Sequence, residues 1–169
     1  HRQANLPSPR SEAGAEMTVV RSCQEFVKVL KRRYDGRLVS VVLFGSTARG
    51  ARTPTSDIDV LVVLKGLPKS RLDRHGRMCT MAHRVSKAFA QQVSVVPLTP
   101  QEAADIKPFY LGMLSGHRIL FDQEEFFRNV LERLQRRLKE LGSERHVDKD
   151  GAEYWILKPD VKPGETIIL

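Results

Sequence analysis

Residues 44–64 read FGSTARGARTPTSDIDVLVVL, and this segment is the most informative part of the chain about its architecture. It begins at the last residue of LVSVVLF (residues 38–44), a short β-branched run that predicts a buried strand. A loop rich in Gly, Thr and Ser then covers residues 45–56, and DIDVLVVL (residues 57–64) predicts a second strand. Two apolar strands therefore flank a small, polar loop of the kind that often carries function.

Two aspartates stand two positions apart at the start of the second predicted strand. Side chains at i and i+2 leave the same face of a strand, so Asp57 and Asp59 project together while Ile58 and Val60 face the core. Neighbouring carboxylates repel each other unless a cation lies between them. Mg²⁺ favours hard oxygen ligands and commonly binds one or two carboxylates together with substrate phosphates. Asp57 and Asp59 are therefore candidate metal ligands.

Gly45 and Ser46 end the first predicted strand. A glycine lets the backbone approach a ligand closely, and a serine offers its hydroxyl and its N–H to a phosphate. Arg49 and Arg52 follow in the loop, where a guanidinium can meet a phosphate. Alone, a Gly-Ser pair is most often a turn and an Asp-x-Asp is most often a solvated strand end. Ten residues between the two pairs, with strands on both sides, favour a binding site.

Periodicity and turn residues organise the rest of the chain. They predict helices over residues 18–34, 69–92 (with a break near Gly76) and 123–141, a third strand over 93–98, a short helix capped by Thr99, a hairpin over 145–157 and an edge strand at 166–169. Residues 1–16 are polar and are expected to form a flexible lead-in. The element order predicts an α/β (α+β) core over residues 17–105, followed by a C-terminal helix and hairpin extension over 106–169.

Composition limits the class of protein. The chain has 169 residues, of which 41% are hydrophobic and 28% charged, and this excludes a disordered or collagen-like chain. No apolar run approaches the ~20 residues that cross a bilayer, so no membrane span is expected. Two cysteines cannot form a disulfide framework, which indicates a reducing compartment and a cytoplasmic location.

The positive charge is concentrated in one part of the chain. The net charge is +8, and residues 17–96 carry fifteen basic side chains against five acidic ones. An Arg-rich, solvated surface explains this excess. A site that attracts polyphosphate or nucleic acid explains it equally well. Charge alone does not separate these two interpretations.

The Gly-Ser pair, the ten-residue spacing and the Asp-x-Asp closely resemble the minimal nucleotidyltransferases of the DNA polymerase β-like superfamily. Ala48-Arg49-Gly50 and Ser56 match the usual motif of that family as well, and the resemblance covers about residues 18–105. It implies a nucleotidyltransferase fold, in which helices pack on a mixed β-sheet. It also implies that Gly45, Ser46 and Arg49 hold the phosphates of a nucleoside triphosphate, ATP above all, and that Asp57 and Asp59 bind one or two Mg²⁺ ions and act in catalysis.

The family usually places a third carboxylate on the next strand, and this chain departs from that pattern. Alignment of the hydrophobic residues puts the expected acid at Ser94, and a hydroxyl neither neutralises a divalent cation nor acts as a general base at neutral pH. Glu102 is the nearest substitute, with Asp105 and Asp122 as weaker candidates. The sequence therefore supports binding of a nucleotide and a metal better than it supports turnover.

Two classes of function follow from the resemblance. The first is a Mg²⁺-dependent enzyme that moves a nucleoside monophosphate from a nucleoside triphosphate to an acceptor hydroxyl on protein or RNA. The second is a catalytically weak or inactive module of the same family that binds a nucleotide or a partner. Similar family members are often antitoxin-like partners of small helical proteins, and some adenylylate protein tyrosines. The sequence leaves open the acceptor, the oligomeric state and the role of the polar tail over residues 154–165.

Overall fold

A computed structural model of the chain describes residues 9–169, with side chains described from residue 13 onward. Seven α-helices lie in this range: α1 (Pro9–Tyr34), α2 (Gly45–Ala48), α3 (Arg71–Val85), α4 (Lys87–Gln92), α5 (Pro100–Ala104), α6 (Tyr110–Met113) and α7 (Phe126–Glu140). The same range holds six strands: β1 (Leu38–Phe44), β2 (Ile58–Leu64), β3 (Val93–Leu98), β4 (Arg118–Asp122), β5 (Glu144–Val147) and β6 (Glu153–Ile156).

Four strands form one mixed sheet in the order β3-β2-β1-β4. The central strand β1 is antiparallel to both β2 and β4, whereas β2 and β3 run parallel. The three strands predicted within residues 38–98 are confirmed, because β1 and β3 have the expected bounds and β2 begins one residue after Asp57. The expected α/β class with a mixed sheet is confirmed as well.

The first face of the sheet is covered by α1 and α3. Alternate residues of β2, among them Ile58 and Val60, are buried in a core that also contains Phe26 of α1 and Met78 of α3. Burying each such side chain contributes roughly 1.5–3 kcal/mol, so this layer holds the long N-terminal helix on the sheet.

The second face of the sheet is covered by α5, α6 and α7. The intervening β2 residues Leu61 and Val63 are buried there with Tyr110 of α6 and Leu134 of α7. Because β2 is apolar on both faces, the two helical layers enclose it, and only its ends remain open to carry polar residues.

Three local boundaries differ from those expected. Residues 9–16 form the first turns of α1 and not a flexible lead-in, while residues 1–8 lie outside the described range. The loop over residues 45–56 begins with the short helix α2. The break in the polar helix falls at Ser86, because this residue is extended (φ −169°) and its side chain accepts a hydrogen bond from the N–H of Phe89 as the N-cap of α4. Gly76 lies within the unbroken helix α3.

The sheet extends beyond the expected core boundary at residue 105. Strand β4 pairs with β1 along the edge, and α7 packs on the same sheet, so residues that were assigned to the extension complete the core. The helix expected over residues 123–141 begins at Phe126, because Glu124 and Glu125 have positive φ values. Asp122 caps it by accepting hydrogen bonds from the N–H groups of Phe127 and Arg128.

The expected C-terminal hairpin is confirmed as β5 and β6. Its Trp155 packs against the buried residues on the second face of the sheet. The expected edge strand at residues 166–169 is wrong, because no strand forms after β6 within the described chain. Instead the backbone of Ile168 accepts a hydrogen bond from Arg137 of α7 at 2.9 Å. Over residues 9–169, no helix combines the length and the apolar character that a membrane crossing requires.

Candidate nucleotide-binding site

The two aspartates lie at the open end of β2. Asp59 is the second residue of the strand and is half-buried, whereas Asp57 precedes the strand and is exposed. Asp59 alternates with Ile58 and Val60, which face α1 and α3, so its carboxylate lies on the opposite face of the sheet. The structure thus brings Asp57 and Asp59 together at the end of the sheet, next to the loop that follows β1.

Gly45 allows the loop to approach the carboxylate of Asp59. A Cβ atom built on Gly45 would lie 2.2 Å from Oδ2 of Asp59, a distance at which the two atoms would overlap, and 3.1 Å from its Cγ. Gly45 also has a φ of +72°, a conformation that favours glycine. The positive φ and the close approach to Asp59 both require a glycine at position 45, because a side chain there would displace Asp59.

The charges of the site act on one another. Burial raises the pKa of the Asp59 carboxyl above its ordinary value, and the negative charge of Asp57 raises it further. The guanidinium of Arg49 opposes both effects and lowers this pKa. The two carboxylates repel each other, and a bound cation would relieve this repulsion, so the pair is suited to holding a cation.

The loop that carries Arg49 is held at both ends. The hydroxyl of Thr47 donates a hydrogen bond of 3.4 Å to the backbone oxygen of Asp57, which ties α2 to the start of β2. Ser46 accepts a hydrogen bond through its backbone oxygen from the N–H of Ala51 at 2.9 Å. Arg49 itself packs on Gly116, where a Cβ would lie 2.7 Å from Cγ of Arg49. The predicted phosphate-binding residues Gly45, Ser46 and Arg49 therefore lie on one side of the aspartate pair.

Arg52, the second arginine of the loop, points to the start of β3. One of its terminal nitrogens donates a hydrogen bond of 3.1 Å to the side chain of Gln92. Its Nε is buried and has no hydrogen-bond partner among the described residues. The two arginines therefore have different surroundings, and Arg49 is the one whose charge lowers the pKa of Asp59.

The residue beside Asp59 on the neighbouring strand is Ser94. The two residues are direct partners in the parallel ladder between β2 and β3, and Ser94 is exposed. The hydrophobic alignment predicted this position for the third acid of the family pattern. The structure thus presents a hydroxyl where a carboxylate was expected.

The other acids named as substitutes lie elsewhere. Glu102 follows the far end of β3, and the four residue-to-residue steps from Ser94 to Leu98 alone span about 13 Å. Its carboxylate pairs with Arg74 at 2.7 Å and caps α5 by accepting from the N–H of Thr99. Asp105 ends the same short helix, and Asp122 caps α7. Within the described residues, none of these three candidates gathers with Asp57 and Asp59 into a group of three acids, so the structure offers no substitute for the third carboxylate.

Two further features beside the site were not predicted from the sequence. The ring of Phe109 stacks on Phe44, the strand partner of Asp59, at 5.6 Å between centroids. Gly116 supports Arg49, and the adjacent Ser115 is hydrogen-bonded to Glu153 of the hairpin. Both features come from the connection between β3 and β4, whose short helix α6 has little periodicity to detect. The signal in the sequence that could have pointed to this contact is the adjacent pair of aromatic residues, Phe109 and Tyr110.

The geometry can be compared with known proteins. The sequence profile of the nucleotidyltransferase domain family matches residues 23–111. The chain belongs to this nucleotidyltransferase family. The matched region runs from α1 through β3 into α6, and so includes both the Gly-Ser loop and the aspartate pair.

Relatives of this nucleotidyltransferase occur in Methanocaldococcus jannaschii. Two of them carry the name "Putative protein adenylyltransferase". MJ1305 is 34% identical over 119 residues, which cover 69% of this chain and 81% of the relative. MJ0604 is 49% identical over 47 residues, or 28% of this chain and 47% of the relative. Among solved structures, "a putative nucleotidyltransferase from Sulfolobus solfataricus" is 23% identical with a TM-score of 0.49, covering 73% of this chain and 96% of that one.

Most of the excess positive charge of the nucleotidyltransferase lies away from the aspartates. Helices α1 and α3 carry the exposed basic residues Arg21, Lys28, Lys31, Arg32, Arg33, Arg71, Arg77 and Arg84. These helices cover the first face of the sheet, and Asp59 faces the second. More than half of the basic side chains of residues 17–96 therefore lie on helices that cover the face away from Asp59, and Arg49 and Arg52 are the two in the loop beside the aspartates.

Proposed function

We propose that this protein is a Mg²⁺-dependent nucleotidyltransferase that moves a nucleoside monophosphate, AMP above all, from a nucleoside triphosphate to a hydroxyl of a protein. The oxygen of the acceptor attacks the α-phosphorus, the bond from the α-phosphorus to the bridging oxygen breaks, and pyrophosphate leaves. The acceptor proton passes to solvent or to a phosphate oxygen. The observation that carries the proposal is the pairing of Asp57 and Asp59 against Gly45 in a member of the nucleotidyltransferase family.

The donor set fits a magnesium–nucleotide complex. The site supplies two carboxylates, one of which has a raised pKa because of burial and the charge of the other. Across the described residues, no group of three or more His, Cys, Asp or Glu side chains gathers as a complete metal cage. A site that offers two carboxylates and leaves the other positions to phosphates and water is typical for Mg²⁺. Bound there, the ion would neutralise charge that builds up on the phosphates.

The remaining site residues take the phosphates. Gly45 keeps the backbone free of a side chain at the point of closest approach to Asp59. Ser46 offers a hydroxyl at the start of α2, and Arg49 offers an exposed guanidinium whose charge already acts on Asp59. A guanidinium binds phosphate oxygens through two parallel hydrogen bonds, which orients the triphosphate as well as attracting it.

A protein hydroxyl is favoured over RNA as the acceptor. Two relatives from M. jannaschii carry the name of protein adenylyltransferases, and one of them is 34% identical over most of its length. The basic segment is the feature that would favour RNA. Its exposed side chains on α1 and α3 lie on the face of the sheet away from Asp59, which weakens that argument. A small helical protein, the kind of partner that the family resemblance implies, is the first acceptor to test.

A catalytically weak binding module is the second candidate. Ser94 stands beside Asp59, and no described acid replaces the missing carboxylate. Such a module would bind a nucleoside triphosphate with Mg²⁺ and release no pyrophosphate. The two candidates share the same nucleotide site and differ only in turnover.

The test is transfer of label from ATP carrying ³²P at the α-phosphate, with Mg²⁺, the full chain and candidate acceptor proteins. Wild type is expected to label an acceptor. Asp59→Asn should reduce labelling at least about 100-fold, since several kcal/mol of charge stabilisation depend on the site. Asp150→Asn, a matched change in the exposed turn of the hairpin, should have no effect. Nucleotide binding without labelling would select the second candidate, and equal labelling by Asp59→Asn would refute both.

A further inference from the structure

An exposed aromatic ring stands beside the aspartate pair. Phe44 and Asp59 are direct partners in the antiparallel ladder between β1 and β2, and such partners project on the same face of a sheet. The ring of Phe109 stacks on that of Phe44, with 5.6 Å between centroids and 29° between ring planes. Phe109 therefore contacts the residue that is paired with Asp59, and 36% of the surface of Phe109 remains exposed.

Packing against buried aromatic rings holds the ring of Phe109 in place. This ring meets Tyr110 edge to face at 4.9 Å, and Tyr110 meets Phe127 of α7 in the same way at 5.2 Å. Tyr110 is fully buried, and its hydroxyl donates a hydrogen bond of 2.9 Å to the backbone oxygen of Ala103. These contacts fix the outer ring without covering it, so its surface is preorganised before any ligand arrives.

We infer that Phe109 is the surface on which the base of the bound nucleoside triphosphate stacks. This inference rests on the proposed function, in which the phosphates lie between Arg49 and the aspartate pair. A nucleotide has a charged end and a flat apolar end, and the site presents charged groups and an exposed ring side by side. Base stacking on an aromatic side chain depends little on which base is present, because every base has a π-face. The site therefore accepts adenine and guanine nucleotides with similar gains from this contact.

The experiment measures binding by titration calorimetry with the full chain and Mg²⁺. The probes are non-hydrolysable analogues of ATP and GTP, and inorganic tripolyphosphate, which has no base. Phe109→Leu keeps apolar bulk over Tyr110 and removes the ring, so it serves where Phe109→Ala would disturb the core. Tyr154→Leu is the matched control, because this exposed ring stacks on His146 of the hairpin at 5.4 Å and not on Phe44.

Phe109→Leu is expected to weaken binding of both nucleotide analogues about tenfold and to leave tripolyphosphate unchanged, since stacking of one base is of that size. Phe109→Trp should restore or strengthen nucleotide binding. Tyr154→Leu should bind all three probes like wild type. Unchanged nucleotide binding by Phe109→Leu overturns the inference, and so does an equal loss for tripolyphosphate, which has no base. Failure of wild type to bind any probe would instead count against the proposed function.

Discussion

Asp59 and Ser94 are direct partners in the ladder between β2 and β3, so the hydroxyl of Ser94 occupies the place beside the aspartate pair where the family pattern has an acid. Parallel neighbours in register lie about 4.8 Å apart across the sheet. A carboxylate at position 94 would therefore join Asp57 and Asp59 without any change of backbone. The backbone positions of the site therefore match the family pattern, and the site lacks one negative charge.

Restoring that charge should raise turnover. Ser94→Asp is expected to increase the rate of nucleotidyl transfer by about 100-fold, the lower end of what a general base contributes. Ser94→Asn adds the same bulk without the charge and should leave the rate near that of wild type. Label transfer from ATP under saturating Mg²⁺ measures both. Equal rates for the two variants would mean that the third acid does not limit this protein.

Gly45 should tolerate no side chain. Gly45→Ala places a Cβ 2.2 Å from Oδ2 of Asp59 and is expected to weaken binding of the magnesium–nucleotide complex more than about tenfold. Gly50→Ala is the matched control, because Gly50 has nearly the same φ (+69°) but nothing within 4 Å of its added Cβ. Both variants carry similar backbone strain, so calorimetric binding separates strain from displacement of Asp59. Similar losses in the two variants would argue against the close approach.

The core strands, and the closeness of the Gly-Ser loop to the aspartate pair, were predictable from the sequence because local signals mark them. The run LVSVVLF is apolar and β-branched from end to end, as a strand enclosed by two helical layers must be. The Asp-x-Asp pattern encodes its own geometry, since two residues along a strand return to the same face. Even the partner of Asp59 could be read as Ser94, because register follows the hydrophobic pattern.

The remaining features depend on tertiary contacts or on single caps. Strand β4 is short and half-exposed, and it becomes a strand by pairing with β1. The helix break falls at Ser86 because its hydroxyl caps α4, a signal as strong locally as the glycine at position 76. The stacking of Phe109 on Phe44 joins residues 65 positions apart, and no sequence period connects them.

Gly76 should be replaceable with a gain in stability. It lies inside α3, is exposed and has nothing within 4 Å of an added Cβ. Gly76→Ala is expected to raise the free energy of unfolding by about 0.5–1 kcal/mol, because alanine loses less backbone entropy in a helix. Gly66→Ala should instead destabilise, since Gly66 has a φ of +73°. Urea unfolding of both variants is the measurement, and a loss of stability in Gly76→Ala would contradict a continuous α3.

Glu102 should act in stability and not in catalysis. Its hydrogen bond with Arg74 holds the pKa of the Glu102 carboxyl below its ordinary value of 4.5. A lowered pKa contributes stability above the unfolded value and loses it as the pH falls through the folded one. Glu102→Gln should therefore be less stable than wild type at pH 7, by no more than about 1 kcal/mol because the pair is partly exposed. The difference should shrink as the pH falls below 4.5 and through the lower pKa of the folded state. Urea unfolding at several pH values tests this, and a loss of label transfer at unchanged stability would return Glu102 to the active site.

Gly116 should control the position of Arg49. A Cβ at residue 116 would lie 2.7 Å from Cγ of Arg49 and 3.4 Å from its Cα, so Gly116→Ala must push the arginine away from its place beside Asp59. Because Arg49 lowers the pKa of Asp59, its displacement should raise that pKa and shift the acid limb of nucleotide binding to higher pH. Binding of tripolyphosphate should also weaken about tenfold, the size of one charged hydrogen bond. Gly112→Ala, four residues earlier with nothing within 4 Å of its added Cβ, should change neither property. Calorimetry across pH with both variants decides, and a Gly116→Ala profile that matches the control would mean that Arg49 is positioned by its own loop alone.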